Sequence, residues 1–358
     1  MRSQMGSSGR NPRVGTIAAL AGLSLLATAC GGASAAGTPA PATPGTTELH
    51  TLDEQAFVPT KDAWEIVDAF GSIWTSGFIG TMDDGTLSRI DPATNDVVSS
   101  VHVSAGTDGI AASDDAIWIM DGEAWAIRAI DPATNELTDR KIPVPDQGGD
   151  LYRVGDRIWH MGWEIASSID TATGTVTSMP MVGGCGNRCG IAVGEDAVFK
   201  AGSDAVYRLA LDGKSIEATN IVDAKGSAIG VGPDAVYVGS PTGGVAILDP
   251  KTLELRTVVQ ADVATTATGA KWSLGNPDKG MIIGDATGAW IRFSPAILGR
   301  LDAATNTIAL YGTLPAEADG ASPFLISGDS LWVTNEGEGS GGADGGKPGV
   351  YRLALPTP

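Results

Sequence analysis

His160 and Glu164 are the first residues whose types and spacing suggest chemistry. The segment RIWHMGWE, residues 157–164, sets an imidazole and a carboxylate four positions apart beside Trp163. Such a pair can perform general acid–base work if both groups face one ligand. His50 falls on a terminal segment and His102 on an outermost strand, both poor positions for catalysis. Asp83 with Asp84, and Glu336 with Glu338, offer oxygen ligands to a divalent cation, although acidic loop pairs ordinarily stand in solvent. Cys185 and Cys189 bracket GNR and, in an exported chain, most simply close a small disulfide; structural zinc needs two further ligands, and the histidines lie elsewhere. No nucleophile elbow, HExxH helix, phosphate loop or calcium loop is present. The residues therefore assign no metal and no cofactor, and leave His160 with Glu164 as the one weak catalytic candidate.

Composition narrows the classes further. The chain has 358 residues, 42% of them apolar and only 18% charged, with 49 glycines and 20 prolines spread along its length. That balance suits many turns between short strands. Arg2, Arg10 and Arg13 precede an apolar run over residues 14–29, too short for a comfortable membrane span and right for a signal peptide. The run ends LLATAC, which resembles the lipobox of bacterial lipoproteins. The resemblance implies that residues 1–29 are removed and that Cys30 carries diacyl and palmitate-type lipid, anchoring the chain on the extracytoplasmic side of the cell membrane. Residues 30–47 hold no large apolar side chain and read as a flexible tether. Loss of the three leader arginines takes the formal charge from −19 to −22. So many carboxylates repel phosphate backbones, which excludes nucleic-acid partners and leaves the lipid as the membrane contact.

A repeat organises the remainder. RIDPATN at 89–95 returns as AIDPATN at 129–135, then eroded as SIDTATG at 168–174, ALDGK at 210–214, ILDPKTL at 247–253 and RLDAATN at 300–306. About fifteen residues earlier, each unit has a short alternating run with one aromatic: Trp74, Trp118, Trp159, Phe199, Tyr237, Trp290 and, in a seventh unit, Trp332. These aromatics recur at intervals of 38 to 53 residues. Each unit fits about four strands of four to six residues, the size of one β-propeller blade. In the repeated turn, aspartate accepts a backbone hydrogen bond two residues on, proline presets φ, and Asn95, Asn135, Asn306 or Gly174 takes the left-handed conformation. The turn is read as a hairpin between third and fourth strands, and the recurrent aromatic as the filler between sheets.

The reading is thus an all-β, seven-bladed propeller over residues 48–355. The seventh unit stops one strand short, so residues near 47–52 are expected to pair with the strand at 350–355 and close the ring. GSIWTS followed by TLSRIDPATNDVVSSVHV, with LWVTN in the last unit, resembles the seven-bladed YVTN-repeat propellers and the related streptogramin B lyase propellers. The lyase resemblance implies a magnesium-dependent opening of a cyclic depsipeptide by a histidine base with acidic neighbours. No histidine here matches such a constellation residue by residue.

Connections between blades, and between second and third strands, share one face and are the long ones; the opposite turns are tight. Long excursions on a rigid disc are where binding surfaces usually form. Trp163, Trp272, Arg292, Phe293, Asn335 and Glu336 are the candidate contact residues there, with Phe78 a further rim aromatic. The function read from the sequence is non-catalytic binding of a small ligand or an envelope protein by a monomeric lipoprotein, the alternative being a streptogramin lyase-like or hydrolase activity at the propeller face with His160 and Glu164 at work.

Overall fold

The computed structural model describes residues 49–61, 63–77, 85–103, 109–184, 189–211, 215–219, 228–239, 244–261, 281–294, 297–312, 323–335 and 347–356. Among these the regular structure is all strand, arranged as seven sheets. Six blades follow the chain in order, over residues 65–103, 110–143, 150–180, 191–219, 229–260 and 282–312. The seventh takes three strands from residues 324–354 and its outer strand from the amino-terminal side of the domain. First strands of successive blades touch one another around the axis, so the sheets stand as a closed ring. The chain is a seven-bladed β-propeller.

The core is seven apolar clusters, one at each blade-to-blade junction. The recurrent aromatic lies in each of them. Trp74, Trp118, Trp159, Phe199, Tyr237, Trp290 and Trp332 are all buried, each packed toward the next blade. A ring of this size at one position per sheet fills the gap that widens outward between neighbouring blades.

Closure differs in register from the expectation. The strand that completes blade 7 is Glu54–Pro59, antiparallel to Gly349–Ala354. Leu49–Thr51, within the segment expected to do this, instead pairs parallel with Thr307–Gly312 as a fifth strand of blade 6. Burial explains the choice. Val58, 1% exposed, plugs the junction between blades 7 and 1 against Ile66, Ile73, Trp332 and Val350, whereas residues 49–51 are exposed and have no such seat. Leu52, between the two strands, is buried beside Trp290 of blade 6 and Leu331 of blade 7. Residues 49–59 thereby join three blades.

The repeated turn is seen to work as a tie between blades. Within it, Asp91 Oδ1 accepts from Ala93 N at 2.8 Å and Asp131 Oδ1 from Ala133 N at 2.7 Å, and Asp170, Asp249 and Asp302 do the same in their blades. Asn95, Asn135, Leu253, Asn306 and Gly174 all have positive φ. The arginine of RIDPATN adds what the motif alone did not disclose. Arg89 lies directly across from Trp74 on the neighbouring strand, its guanidinium 5.0 Å from the ring centre. It donates to Pro132 O at 2.7 Å and Asn135 Oδ1 at 2.9 Å in the turn of the next blade. Arg352 repeats this over Trp332, reaching Pro92 O and Asn95 Oδ1 across the closing junction. Arg208 reaches Pro250 O, and Arg140, stacked on Trp118 from an outer strand, reaches Thr171 O. In blade 5, the Arg256 guanidinium and two backbone amides hold the Asp249 carboxyl down to about 2.

Two outcomes follow for stability. Deleting residues 54–59 removes the Val58 plug and one ladder, and should lower Tm by roughly 10 °C or more; an unchanged melt contradicts this closure. A double-mutant cycle of Arg89→Ala and Asn135→Ala should show a coupling of about 1 kcal/mol in chemical denaturation, and additivity would dismiss the tie.

Candidate functional site

The inter-blade links and the connections between second and third strands share one face, and the buried polar side chains at the ends of the second strands belong to it. His160 follows the blade-3 aromatic and is fully buried. Its Nε2–H donates to Gly148 O at 2.5 Å, in the link that enters the blade, which leaves Nδ1 as the unprotonated nitrogen with no hydrogen-bond partner. Burial pushes its pKa below the usual histidine value, against the opposing pull of the Gly148 carbonyl and the Asp146 charge. Lys200 holds the same register in blade 4. It is also fully buried, donates to Val182 O at 2.6 Å, and is lowered by burial to about 8. In blade 7, Thr334 Oγ1 donates to Pro323 O at 2.8 Å. Gly148 O and Val182 O are thus met by side chains of the second strand, and Pro323 O accepts from both the side chain and the backbone N–H of Thr334. His160 is thereby tied to the link that enters its blade.

Several expected contact residues are also interior. Phe293 is 0% exposed and belongs to the cluster between blades 5 and 6. Its ring lies over Gly299 of the adjacent strand, where a Cβ would stand 2.3 Å from Phe293 Cε2, so the glycine admits it. Arg292 is 2% exposed. Asn335, equally buried, donates from Nδ2 to Lys347 O at 2.9 Å. These strands extend to Ser294 and Asn335, so positions read as rim lie inside. Trp272, Glu336, Glu338, Phe78, Asp83, Asp84, Cys30 and Cys185 lie outside the described residues; Cys189 is buried. Among the described residues, no group of three or more His, Cys, Asp or Glu is placed to hold a metal ion.

Trp163 and Glu164 are exposed, and their loop is firmly held. Asp146 Oδ2, in the link between blades 2 and 3, accepts from Glu164 N at 2.6 Å and Ile165 N at 3.0 Å. Met181 N, in the following link, donates to Glu164 O at 2.7 Å. Gly162 is required, since a Cβ there would meet the Asp146 carboxyl at 2.6 Å. Trp163 is 42% exposed on this support.

A second tryptophan on this face was missed by the sequence reading. Trp125, 47% exposed, ends the connection between the second and third strands of blade 2. The turn 121–126 copies the repeated hairpin turn: Asp121 Oδ1 accepts from Ala124 N at 3.0 Å and the last turn residue has positive φ. That left-handed position, occupied by Asn or Gly in most sister turns, here holds Trp125 at φ 47°. For a bulky residue this conformation costs about 1 kcal/mol or more. Trp125 O accepts from Val144 N at 2.9 Å, two residues before Asp146. Both tryptophan loops are therefore fastened to one link, 144–149. The signal was present in DGEAW, legible by aligning it with DPATN.

The opposite, tight-turn face opens into the axis through two adjoining cavities of about 540 and 610 Å³, which share Arg153 and Val193. Their walls include first strands and the turns that follow them, joined in the second cavity by Phe199, Pro250 and Lys251, with Asp68, Asp114 and Glu195 among the lining charges.

Solved structures share this architecture at low identity. The chain is similar to the structure of U3-55K, with TM-score 0.62 and 11% identity over 84% of this chain and 98% of that one. It is also similar to the RRP9 WD40 repeats, with TM-score 0.63 and 10% identity over 87% and 100%. Kuenenia stuttgartiensis hydrazine synthase gives TM-score 0.58 and 14% identity over 79% and 95%. At these identities the likeness establishes the propeller fold alone. No protein-family model matches the chain, and no curated protein matches its sequence.

Lys200 gives this face a pH signature. The unfolded side chain keeps its proton up to about 10.5 and the folded one only to about 8, so the unfolded state binds more protons between those values. Stability of the wild type falls as pH drops from about 10.5 to about 8 and levels below. Lys200→Met should gain Tm over the wild type progressively across that window; a constant difference would remove Lys200 as the cause.

Proposed function

We propose that the chain is a lipid-anchored envelope protein whose propeller binds a partner through the loop face, without catalysis of its own. Propellers are commonly protein-interaction scaffolds, and the repeat resembles the YVTN propellers. The carrying observation is the pair of exposed tryptophans, Trp125 and Trp163, set on short connections that are fastened to one link. Exposed aromatics on rigid supports lose little conformational freedom on binding, which is why such residues dominate interfaces. The buried, carbonyl-bound His160 supports the non-catalytic reading over a lyase. The lipid on Cys30 and a Cys185–Cys189 disulfide complete the proposal, resting on the leader and on cysteine spacing.

A photo-crosslinking residue introduced in cells at position 125 or 163, with position 156 on the opposite face as control, tests the site. One crosslinked product from 125 and 163, absent from 156, is expected; a product from 156 alone refutes the loop face. Cys30→Ala should move the protein from the membrane fraction to the soluble extracytoplasmic fraction, and continued sedimentation with membranes would refute the anchor. Depsipeptide opening with magnesium should be absent, and turnover would overturn the non-catalytic assignment.

A further inference from the structure

On the tight-turn face, away from Trp125 and Trp163, the axis opens into a cavity of about 540 Å³. We infer that this cavity binds a small monovalent organic cation, an ammonium group on an apolar body, with Asp68 meeting the charge and the Phe70 ring packed beside it.

The cavity has the volume of a small-molecule site, and its wall is mainly apolar, with Val67, Ala69, Ala112 and Val193 contributed by the first strands of four blades. Three charged side chains line it. Arg153 is paired with Asp114 and also donates from Nε to Gly155 O at 3.0 Å, so two of the three charges cancel. Asp68 remains. Its Oδ2 accepts from the neutral Ser327 hydroxyl of blade 7 at 2.6 Å, and its Oδ1 has no partner among the described residues. One uncompensated negative charge against an apolar wall complements one positive charge on an apolar body. A hard divalent cation takes roughly six or more oxygen ligands, which a single carboxylate among aliphatic side chains does not supply. The surrounding field has the same sign. Every blade places an acidic residue in or beside the turn after its first strand, from Asp68 in blade 1 to Asp329 in blade 7, and none of those turns holds lysine or arginine.

Phe70 supplies an independent observation. It is 36% exposed, lines the cavity, and belongs to none of the seven apolar clusters between blades. With Gly71 it makes the two-residue turn between Ala69 and Ser72, the pair standing at φ 53° and 66°. Asn before Gly is the favoured pair for such a turn, and a bulky residue is strained at its first place. Gly155 and Gly328 hold that place in blades 3 and 7. Packing between blades therefore does not account for an aromatic ring at position 70. The turn beneath the ring is held: Trp74 Nε1 donates to Ala69 O at 3.1 Å, and Arg89 Nη2 to Phe70 O at 3.5 Å. A ring on such a support loses little freedom on binding, and its face attracts an ammonium group.

Calorimetric titration of the intact propeller with phenylbutylammonium tests this, with phenylbutanol as the uncharged analogue and methylammonium as the charge without the body. One saturable site is expected for the first, and binding at least about tenfold weaker for each of the others. Asp68→Asn keeps an acceptor for Ser327 and should weaken binding about tenfold, and Phe70→Asn should weaken it about three- to tenfold. Because Phe70→Asn also relieves the turn, its Tm should equal or exceed that of the wild type, which separates lost binding from lost folding. Arg153→Gln frees Asp114 and should tighten binding about threefold or more. Asp139→Asn, on the outer strand of blade 2, should leave the affinity as it is. No saturable binding, equal binding of either control compound, or unchanged affinity in Asp68→Asn overturns the inference. So does equal weakening by Asp139→Asn, which means bulk charge attraction, or a lowered Tm in Phe70→Asn, which makes Phe70 a packing residue. The site is on the opposite face from positions 125 and 163, so crosslinking there decides the loop-face reading separately.

Discussion

Every blade of this protein has two apolar faces, and a four-stranded sheet can cover both only by standing between two others. That requirement forces closure. An open array of seven sheets would leave two faces in water, each as apolar as the junction formed by Val58, Ile66, Ile73, Trp332 and Val350. The arrangement of the turns, links and termini follows from holding that ring shut. On the tight-turn face the fastening is arginine over tryptophan, with the guanidinium edge passed to the next blade's carbonyl and asparagine. On the loop face it is made by buried side chains such as His160 and Lys200, each directed at a carbonyl of the link that enters its blade.

The architecture was readable because it is periodic. Strand alternation, an aromatic every forty or so residues and an aspartate turn with a left-handed close are local properties, and each blade repeats them. The closing strand was misplaced by a few residues for a non-local reason. LHT and EQAFVP are both plausible edge strands, and what separates them is the seat that Val58 finds between blades 7 and 1, which exists only once the ring is assembled. Burial at strand ends failed in the same way. Phe293 reads as a rim aromatic until Gly299 on the adjacent strand is seen to leave room for its ring. Arg292 and Asn335 likewise read as surface groups in a chain where few charged residues are interior.

Trp125 shows the complementary case, in which the information was local yet passed unnoticed. Its turn obeys the same rule as the hairpin turns, with an aspartate at the start and a left-handed residue at the end, and breaks the rule only in the identity of that last residue. Leu253 departs from the repeat at the same position and is buried in the junction of blades 4 and 5, so it answers to packing, whereas Trp125 is exposed there. The long connections drew attention by length, while the two exposed indoles sit on short ones. Short connections hold a side chain in place at lower entropic cost.

The segment 49–59 carries a mechanical consequence. Because the chain enters the ring along the very residues that shut it, tension applied from the amino-terminal side falls first on the three-residue parallel pairing beside blade 6, and reaches the antiparallel strand of blade 7 only after that pairing yields. The outer pairing can peel and re-form while the disc stays whole. It works as a strain relief, the way a cable is clamped to its housing ahead of the soldered joint.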